Sequence, residues 1–413
     1  MDSTRKWSDR GILAGYFDGG LWHLHLAHFL CHYAMLIFPT AVIALAPAWG
    51  LSYERALSLG TPLYVAFAVF TLPAGWLGDR MDGNRLIALQ LLGCGAAAIG
   101  VGLARTEWQV MACLAVIGAF AAIYHPVGLA MVTRLSGRPG KALAVNGVFG
   151  NLGLAAAMLV TGALAEAAGW RSAFVVPGVF AVGAGCVAAW AKRGRSRHGQ
   201  PASLAPVTTG VGVPRARQLK VLGVVLFAAL FSGLIFNGVS ISLPKLLDAE
   251  LAGQGADLAR VGEYGALVFA VAAFAQLPVG ALLDRLGGRR VMIGLFLLQA
   301  LALALLSRSQ GIFVVPAAMT AVTLIFAGIP ITGWLLGHFV ESQWRARAFA
   351  AEYVLSLGVS ASVVPAMAFL YAMGFGFDWQ YGALVVAAFA VGCAALALPR
   401  SARHLGAAEL ARP

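Results

Sequence analysis

Twelve apolar stretches, each of about twenty residues or more, recur along this chain and leave it few folds to choose from. They run over residues 16–47, 56–78, 86–104, 107–134, 142–168, 171–191, 221–246, 262–283, 291–307, 310–339, 348–374 and 377–399. About twenty residues of helix cross a hydrocarbon core of roughly 30 Å. In lipid, every backbone N–H and C=O must be satisfied inside the protein, which helices do unaided. With 60% of its 413 residues hydrophobic and only 11% charged, the chain is too apolar for an ordinary soluble domain. The expected fold is all-α: a polytopic membrane protein with twelve transmembrane helices.

A net charge of +12 in a soluble chain would suggest a nucleic-acid partner. Here the distribution excludes that reading. Twenty-three of the 29 Lys and Arg residues fall at the two termini or in the even-numbered loops, among them Arg80, Arg85, Arg134, Arg138, Arg285, Arg289 and Arg345. The remaining six are Arg55, Arg105, Arg171, Lys245, Arg260 and Arg308. That is a strong positive-inside bias, and it predicts cytoplasmic termini in a bacterial inner membrane. The polar first ten residues and the long first apolar run predict that no cleavable signal peptide is present. The five cysteines all fall in predicted helices without a CxxC pair, as buried thiols do and a disulfide framework does not.

The chain also repeats itself. PAGWLGDRMDGNRL begins at Pro73 and PVGALLDRLGGRRV at Pro278, and at that offset Gly75, Leu77, Asp79, Arg80, Gly83 and Arg85 match Gly280, Leu282, Asp284, Arg285, Gly288 and Arg290. Pro39 and Pro244 pair in the same way, as do Gly153 and Gly358. The chain is therefore expected to be two six-helix bundles, 1–191 and 221–413. They are joined by a basic cytoplasmic linker, 192–220, rich in Arg, Pro, Gly and Ser, lying along the anionic leaflet. Parallel repeats with a midplane site between them are the logic of a secondary transporter.

GWLGDRMDGNRL resembles the loop motif of the major facilitator superfamily, roughly G-x-L-x-D-R-x-G-R-R, with Gly83 one position late; the second copy at Gly280 fits better. The resemblance implies a proton-linked transporter working by alternating access, by symport or antiport. It further implies a cytoplasmic gate built from Asp79, Arg80, Arg85 and Arg134, with Asp284 and Arg285 in the second copy. An aspartate at a helix end can accept from a neighbouring helix N-terminus and pair with an arginine such as Arg134. In this family such contacts hold the outward-facing state and break on the inward swing. The other reading is that Asp79 and Arg80 merely solvate a tight turn.

The sequence HLHLAHFLCHYAM, His23 to Met35, concentrates imidazoles where a membrane helix has little use for them. At 100° per residue, His25, His28, His32, Met35 and Pro39 share an arc of about 80°, with Cys31 at its edge and His23 opposite. One polar stripe on an apolar helix points to a water-accessible interior. AAIYHPVG in the fourth segment adds Tyr124, His125 and Pro126. Proline there frees a carbonyl one turn earlier, and local unwinding is tolerated only beside a cavity. By the repeat offset His32 corresponds to Asn237, and Pro330 lies at the counterpart of His125. Three readings stand side by side: a substrate or proton site, since imidazole titrates near physiological pH; a soft-metal or metal-chelate site at His28, Cys31, His32 and Met35; or plain interhelical hydrogen bonds.

His28, Pro39, His125, Pro126, Gly150, Asn151 and Gly153 are similar, residue by residue, to the fosmidomycin-resistance branch of that superfamily, which implies drug-type efflux. Two departures stand out. The branch's acidic residue in the first helix falls at His32 here, and its Gly-Pro late in the fifth falls at Ala157 and Met158. The first alters the coupling chemistry and the second weakens the case for efflux.

Elsewhere Glu352 sits inside the eleventh segment, either as a second proton site or paired with an arginine of the nearby loops. Asn146 and Asn151 suit interhelical hydrogen bonds, with Asn151 also a candidate for substrate. GVFGNLG is a packing motif, because no strand precedes it and no Walker lysine follows, so nothing indicates an ATP-driven mechanism. The absence of Arg or Lys in the middle of the first, fourth, seventh and tenth segments disfavours a strongly anionic cargo. Trp334, Phe236, Tyr33 and Tyr124 could line a site for a partly apolar one. The sequence thus predicts a monomeric transporter for a small organic molecule, using protons and no cofactor, with His28, His32, Tyr124, His125, Asn151, Asn237 and Glu352 as site residues. It is not expected to be an enzyme. The alternatives are transport of a soft metal or chelate, and a non-transporting membrane sensor or assembly factor.

Overall fold

The computed structural model of the chain describes residues 21–136, 139–190 and 213–400. Within them are twelve helices long and apolar enough to cross a bilayer. We number them α1 (Trp22–Ala48), α2 (Tyr53–Gly78), α3 (Gly83–Leu103), α4 (Glu107–Leu135), α5 (Gly140–Ala168), α6 (Ser172–Trp190), α7 (Arg215–Gln254), α8 (Leu258–Leu286), α9 (Gly288–Leu306), α10 (Gly311–Phe339), α11 (Gln343–Ala372) and α12 (Phe377–Ala397).

The apolar runs locate these helices to within about five residues, except at α7; residues 16–20 of the first run lie outside the described residues. Residues 192–212 of the expected linker lie outside the described residues. The stretch after them is already helical, starting at Arg215 behind Pro214 rather than at 221. Hydropathy finds the lipid-buried part of a helix, whereas RARQLK continues it as a polar helix in water. Its Gln218 accepts from the Glu341 backbone N–H at 3.3 Å and donates to the Glu341 carboxylate at 2.8 Å, tying the start of α7 to the turn after α10.

Side chains set the helix starts. Asp82 accepts from the Asn84 and Arg85 amides to cap α3, Thr106 accepts from Gln109 in α4, and Asp257 from Arg260 in α8. The outer faces carry exposed Val69, Leu72, Leu301 and Phe389. In water these would form an aggregation-prone patch, whereas in hydrocarbon they are solvated. Trp22, Trp108, Trp190, Trp344 and Trp379 are exposed at helix ends, where amphipathic rings suit the interface.

Several helices break part-way across. In α4 the backbone widens into a π turn over Tyr124–Gly128, centred on Pro126. That is the unwinding expected of a proline beside a cavity. In α10 the helix restarts at Ile329 after Gly328, with Pro330 in its first turn. The two breaks thus fall at corresponding places in the repeat, with Pro330 at the counterpart of His125 and one position from that of Pro126. α8 and α11 are also interrupted, at Ala273–Ala275 and at Val359.

Polar and ring contacts join the two halves at the end opposite the basic turns. The Tyr53 and Tyr371 rings meet edge-on at 5.4 Å, and Lys245 Nζ stands 5.2 Å from the Tyr53 ring centre. Glu166 accepts from the Leu258 N–H at 3.2 Å. There α5 and α8 cross with Gly162 against Gly262. A Cβ on Gly262 would lie 2.6 Å from the Met158 carbonyl oxygen, so the backbones touch without side chains between them.

Candidate functional site

A cavity of about 290 Å³ lies between the halves. Its wall in the first half includes Cys31, His32, Met35, Tyr64, Phe67 and His125; the other half contributes Phe236, Asn237, Phe296, Thr332, Glu352 and Tyr353. No lysine or arginine is among the described residues that line it. Carbon-rich walls with a few polar groups are the usual make-up of a small-molecule site, and the volume is near the low end for one.

His28 stands behind this wall. It is buried, stacked on Tyr124 with ring centres 4.5 Å apart, and meets His32 at 4.7 Å and His125 at 5.4 Å. His32 and His125 are 5.5 Å apart. The three rings each bring a nitrogen to within 4.8 Å of the other two. A carbonyl oxygen can only accept, so the 2.7 Å contact between His28 Nδ1 and Asn146 O makes Nδ1 the donor, and in the neutral ring Nε2 is then a bare lone pair. His28 Nε2, His32 Nε2 and His125 Nδ1 are buried without a hydrogen-bond partner.

Asn146 on α5 organises this corner. Besides the His28 contact, its Nδ2 lies 3.1 Å from His25 Nδ1 and its Oδ1 accepts from the Tyr124 hydroxyl at 3.0 Å. Tyr124 also reaches Leu24 O at 2.9 Å. The interhelical role expected of Asn146 is what the geometry shows. Gly150, one turn further along α5, makes room for the imidazole: a Cβ there would sit 2.6 Å from His28 Cε1. Gly153 lies against the backbone of Phe29 in the same way. Two glycines of the GNLG stretch therefore act through α1.

On the facing half, Asn237 Nδ2 donates to Gly233 O at 2.9 Å within its own helix, leaving Oδ1 as an acceptor beside the cavity. Glu352 accepts from Thr332 Oγ1 at 3.1 Å.

Several sequence expectations change here. Tyr124 is fully buried and does not line the cavity, because its hydroxyl is drawn to Leu24 and Asn146. Asn151 is buried away from the cavity too, and Tyr33 and Trp334 are absent from its described lining. His25 shares the helical arc of His28 yet stacks on Phe149, 4.9 Å away, facing α5. Glu352 has Thr332 as its described partner and no loop arginine, since α11 turns it inward. The proposed metal set on α1 divides: the Cys31 thiol donates to Ala121 O at 3.4 Å, and His125 takes its place beside His28 and His32.

Among the described residues, the contacts expected of a gate at the basic end are not formed in the first copy of the motif. Asp79 and Arg134 are exposed and do not pair. Asp82, not Asp79, receives the helix N-terminus, because it stands directly before α3. Arg80 lies over the Trp76 ring at 4.0 Å, while Arg85 and Arg285 are exposed. In the second copy Asp284 is engaged, accepting from Trp334 Nε1 at 2.9 Å.

Residues 24–262 match the sequence pattern of the Major Facilitator Superfamily. The puromycin resistance protein pur8 of Streptomyces alboniger is 32% identical over 114 residues, 27% of this chain and 23% of that protein. The membrane sensor protein UhpC of Salmonella typhimurium strain LT2 is 28% identical over 139 residues, 33% of this chain and 31% of that one. The chain thus spans about a quarter to a third of the length of these curated relatives. Among solved structures, a D-xylose-proton symporter superposes with a TM-score of 0.74 at 15% identity, covering 93% of this chain and 98% of that one.

Proposed function

From the premise that this chain belongs to the major facilitator superfamily, a family of multi-pass membrane transporters and not of enzymes, we propose that it is a proton-coupled secondary transporter for a small, partly apolar organic molecule. The observation that carries this reading is the cavity shared by both halves, with His32 and His125 on one wall and Asn237 and Glu352 on the other. The aromatic and aliphatic lining suits an apolar body, and the amide and the Thr332–Glu352 pair suit one or two polar groups on it. Imidazoles and a carboxylate exposed in turn to either side can carry the coupling proton.

The cation-free lining favours a neutral or weakly basic cargo over a phosphate ester or dicarboxylate. The motif shared with the fosmidomycin-resistance branch, and the puromycin resistance named for one relative, support efflux. The basic turns would face the cytoplasm of the inner-membrane protein, so a cavity closed at the opposite end would be in its inward-facing state, when the Asp79 latch is released.

Purified protein in proteoliposomes, loaded with a pH-sensitive dye and challenged with a panel of neutral and weakly basic compounds, tests this. Compound-dependent proton flux is expected, falling about tenfold or more in Glu352→Gln and His32→Ala. Flux that neither variant alters would remove these residues from coupling. Compound binding without any flux would instead favour a sensor, as one relative is named.

A further inference from the structure

The imidazole cluster holds more than a proton path requires. His28 and His32 on α1 and His125 in the π turn of α4 bring one nitrogen each to within 4.8 Å of the others. Each ring also carries a buried nitrogen without a partner. Buried ring nitrogens left without a partner, in three rings clustered this closely, are costly unless something occupies the space between them. The His28 Nδ1–H donates to the Asn146 carbonyl at 2.7 Å, the outer hydrogen bond that fixes tautomer and ring direction in metal-ligating histidines. Tyr124 stacks on the same ring, and Gly150 leaves it just enough space.

We propose that His28, His32 and His125 form a binding site for one transition-metal cation, and that the ion it fits is cuprous copper. Neutral imidazoles suit copper and zinc alike, so charge decides between them. All three donors are uncharged, and the described partner of the nearest ring is a backbone carbonyl rather than a carboxylate. The cost of removing an ion from water grows with the square of its charge, so a dication would meet about four times the penalty of a monocation here. Glu352 could offset a dication but belongs to α11 of the other half and is engaged by Thr332. Met35, one turn beyond His32 and also lining the cavity, adds a soft thioether beside the route of entry. A metal–nitrogen distance of about 2.0 Å requires nitrogens roughly 3.4 Å apart, so the rings would draw together on the ion. His32 and His125 reach the cavity, which gives the ion access, and His28 completes the site from behind.

This site does not depend on the transport reading, because it is tested on the purified protein without any cargo. The full-length chain, purified in detergent with a tag that contains no histidine and kept under reductant, is titrated with Cu(I) against a chromophoric Cu(I) chelator. One ion per chain is expected, with affinity falling roughly tenfold or more in His32→Asn and in His125→Asn and unchanged in His338→Asn at the far end of α10. Size-exclusion profiles identify variants that retain the native fold. X-ray absorption at the copper edge should show a shell of nitrogen neighbours. Absence of stoichiometric binding, or binding that survives in both folded variants, overturns the site. A sulfur-dominated shell would move the ion to Cys31 and Met35 and overturns it equally. Zn(II) displacing Cu(I) at equal concentration overturns the choice of ion.

Discussion

His28 Nδ1 and the carbonyl oxygen of Asn146 are 2.7 Å apart across the α1–α5 contact. The orientation of the innermost ring is thus set by the backbone of another helix, and whatever shifts α5 by a fraction of an ångström turns the imidazole. Gly150 is where that shift is easiest to impose.

Gly150→Ala places a methyl 2.6 Å from His28 Cε1, in a site whose other walls are Tyr124 and Asn146. Overpacking of this kind costs about 1–3 kcal/mol. A lower unfolding temperature in detergent is expected, with transport reduced several-fold. Gly183→Ala on α6, where a new methyl meets nothing within 4 Å, should change neither.

Tyr124→Phe removes one hydroxyl that serves two acceptors, Leu24 O and Asn146 Oδ1. Losing this one donor from a buried site costs about 1–3 kcal/mol, chiefly at Asn146 Oδ1, since Leu24 O keeps its place in the α1 helix. Because the ring does not line the cavity, stability should fall while the order of preference among transported compounds stays the same. A changed order in a competition assay would return Tyr124 to the binding site.

Tyr53→Cys together with Tyr371→Cys puts thiols where two rings now meet at 5.4 Å. A short thiol-reactive crosslinker should hold the halves together at this end and abolish transport, and cleavage of the linker should restore it. Persistent transport in the crosslinked protein, verified by mass spectrometry, would show that this end need not open.

Outside the membrane, hydrogen bonds from Gln343 first and Gln218 second hold the Glu341 carboxyl below its ordinary range. A depressed folded value means that the stabilisation is complete above the unfolded pKa of about 4.3 and is lost as pH falls through the folded one. Amide exchange at the start of α7 should therefore quicken on acidification through that window, with pH-dependent intrinsic rates subtracted. In Glu341→Gln the acid step should vanish.

The fold was legible because length and apolarity alone place a helix in lipid, and twelve such helices are found. The inward stripe of α1 was legible for the same reason: helical phase puts His28 and His32 together. Phase fails where the helix itself changes. The π turn at Tyr124–Gly128 separates Tyr124, which turns to α1 and α5, from His125, which turns to the cavity. Of the two readings of Glu352, a proton site or a partner for nearby loop arginines, the second follows closeness in sequence, whereas the described partner, Thr332, lies on α10. Nothing local to Asn146 reveals that one residue serves His25, His28 and Tyr124 at once. The missing signals are all distances between segments.

The crossing of α5 over α8 has a mechanical consequence. With Gly162 facing Gly262, a tilt of one half against the other, as alternating access would require, needs no rotamer change at that contact. Such a joint acts as a fulcrum: it resists translation but yields to rotation. Small angular play at that point becomes, over the length of two helices, ångströms of opening at the arginine-rich rim.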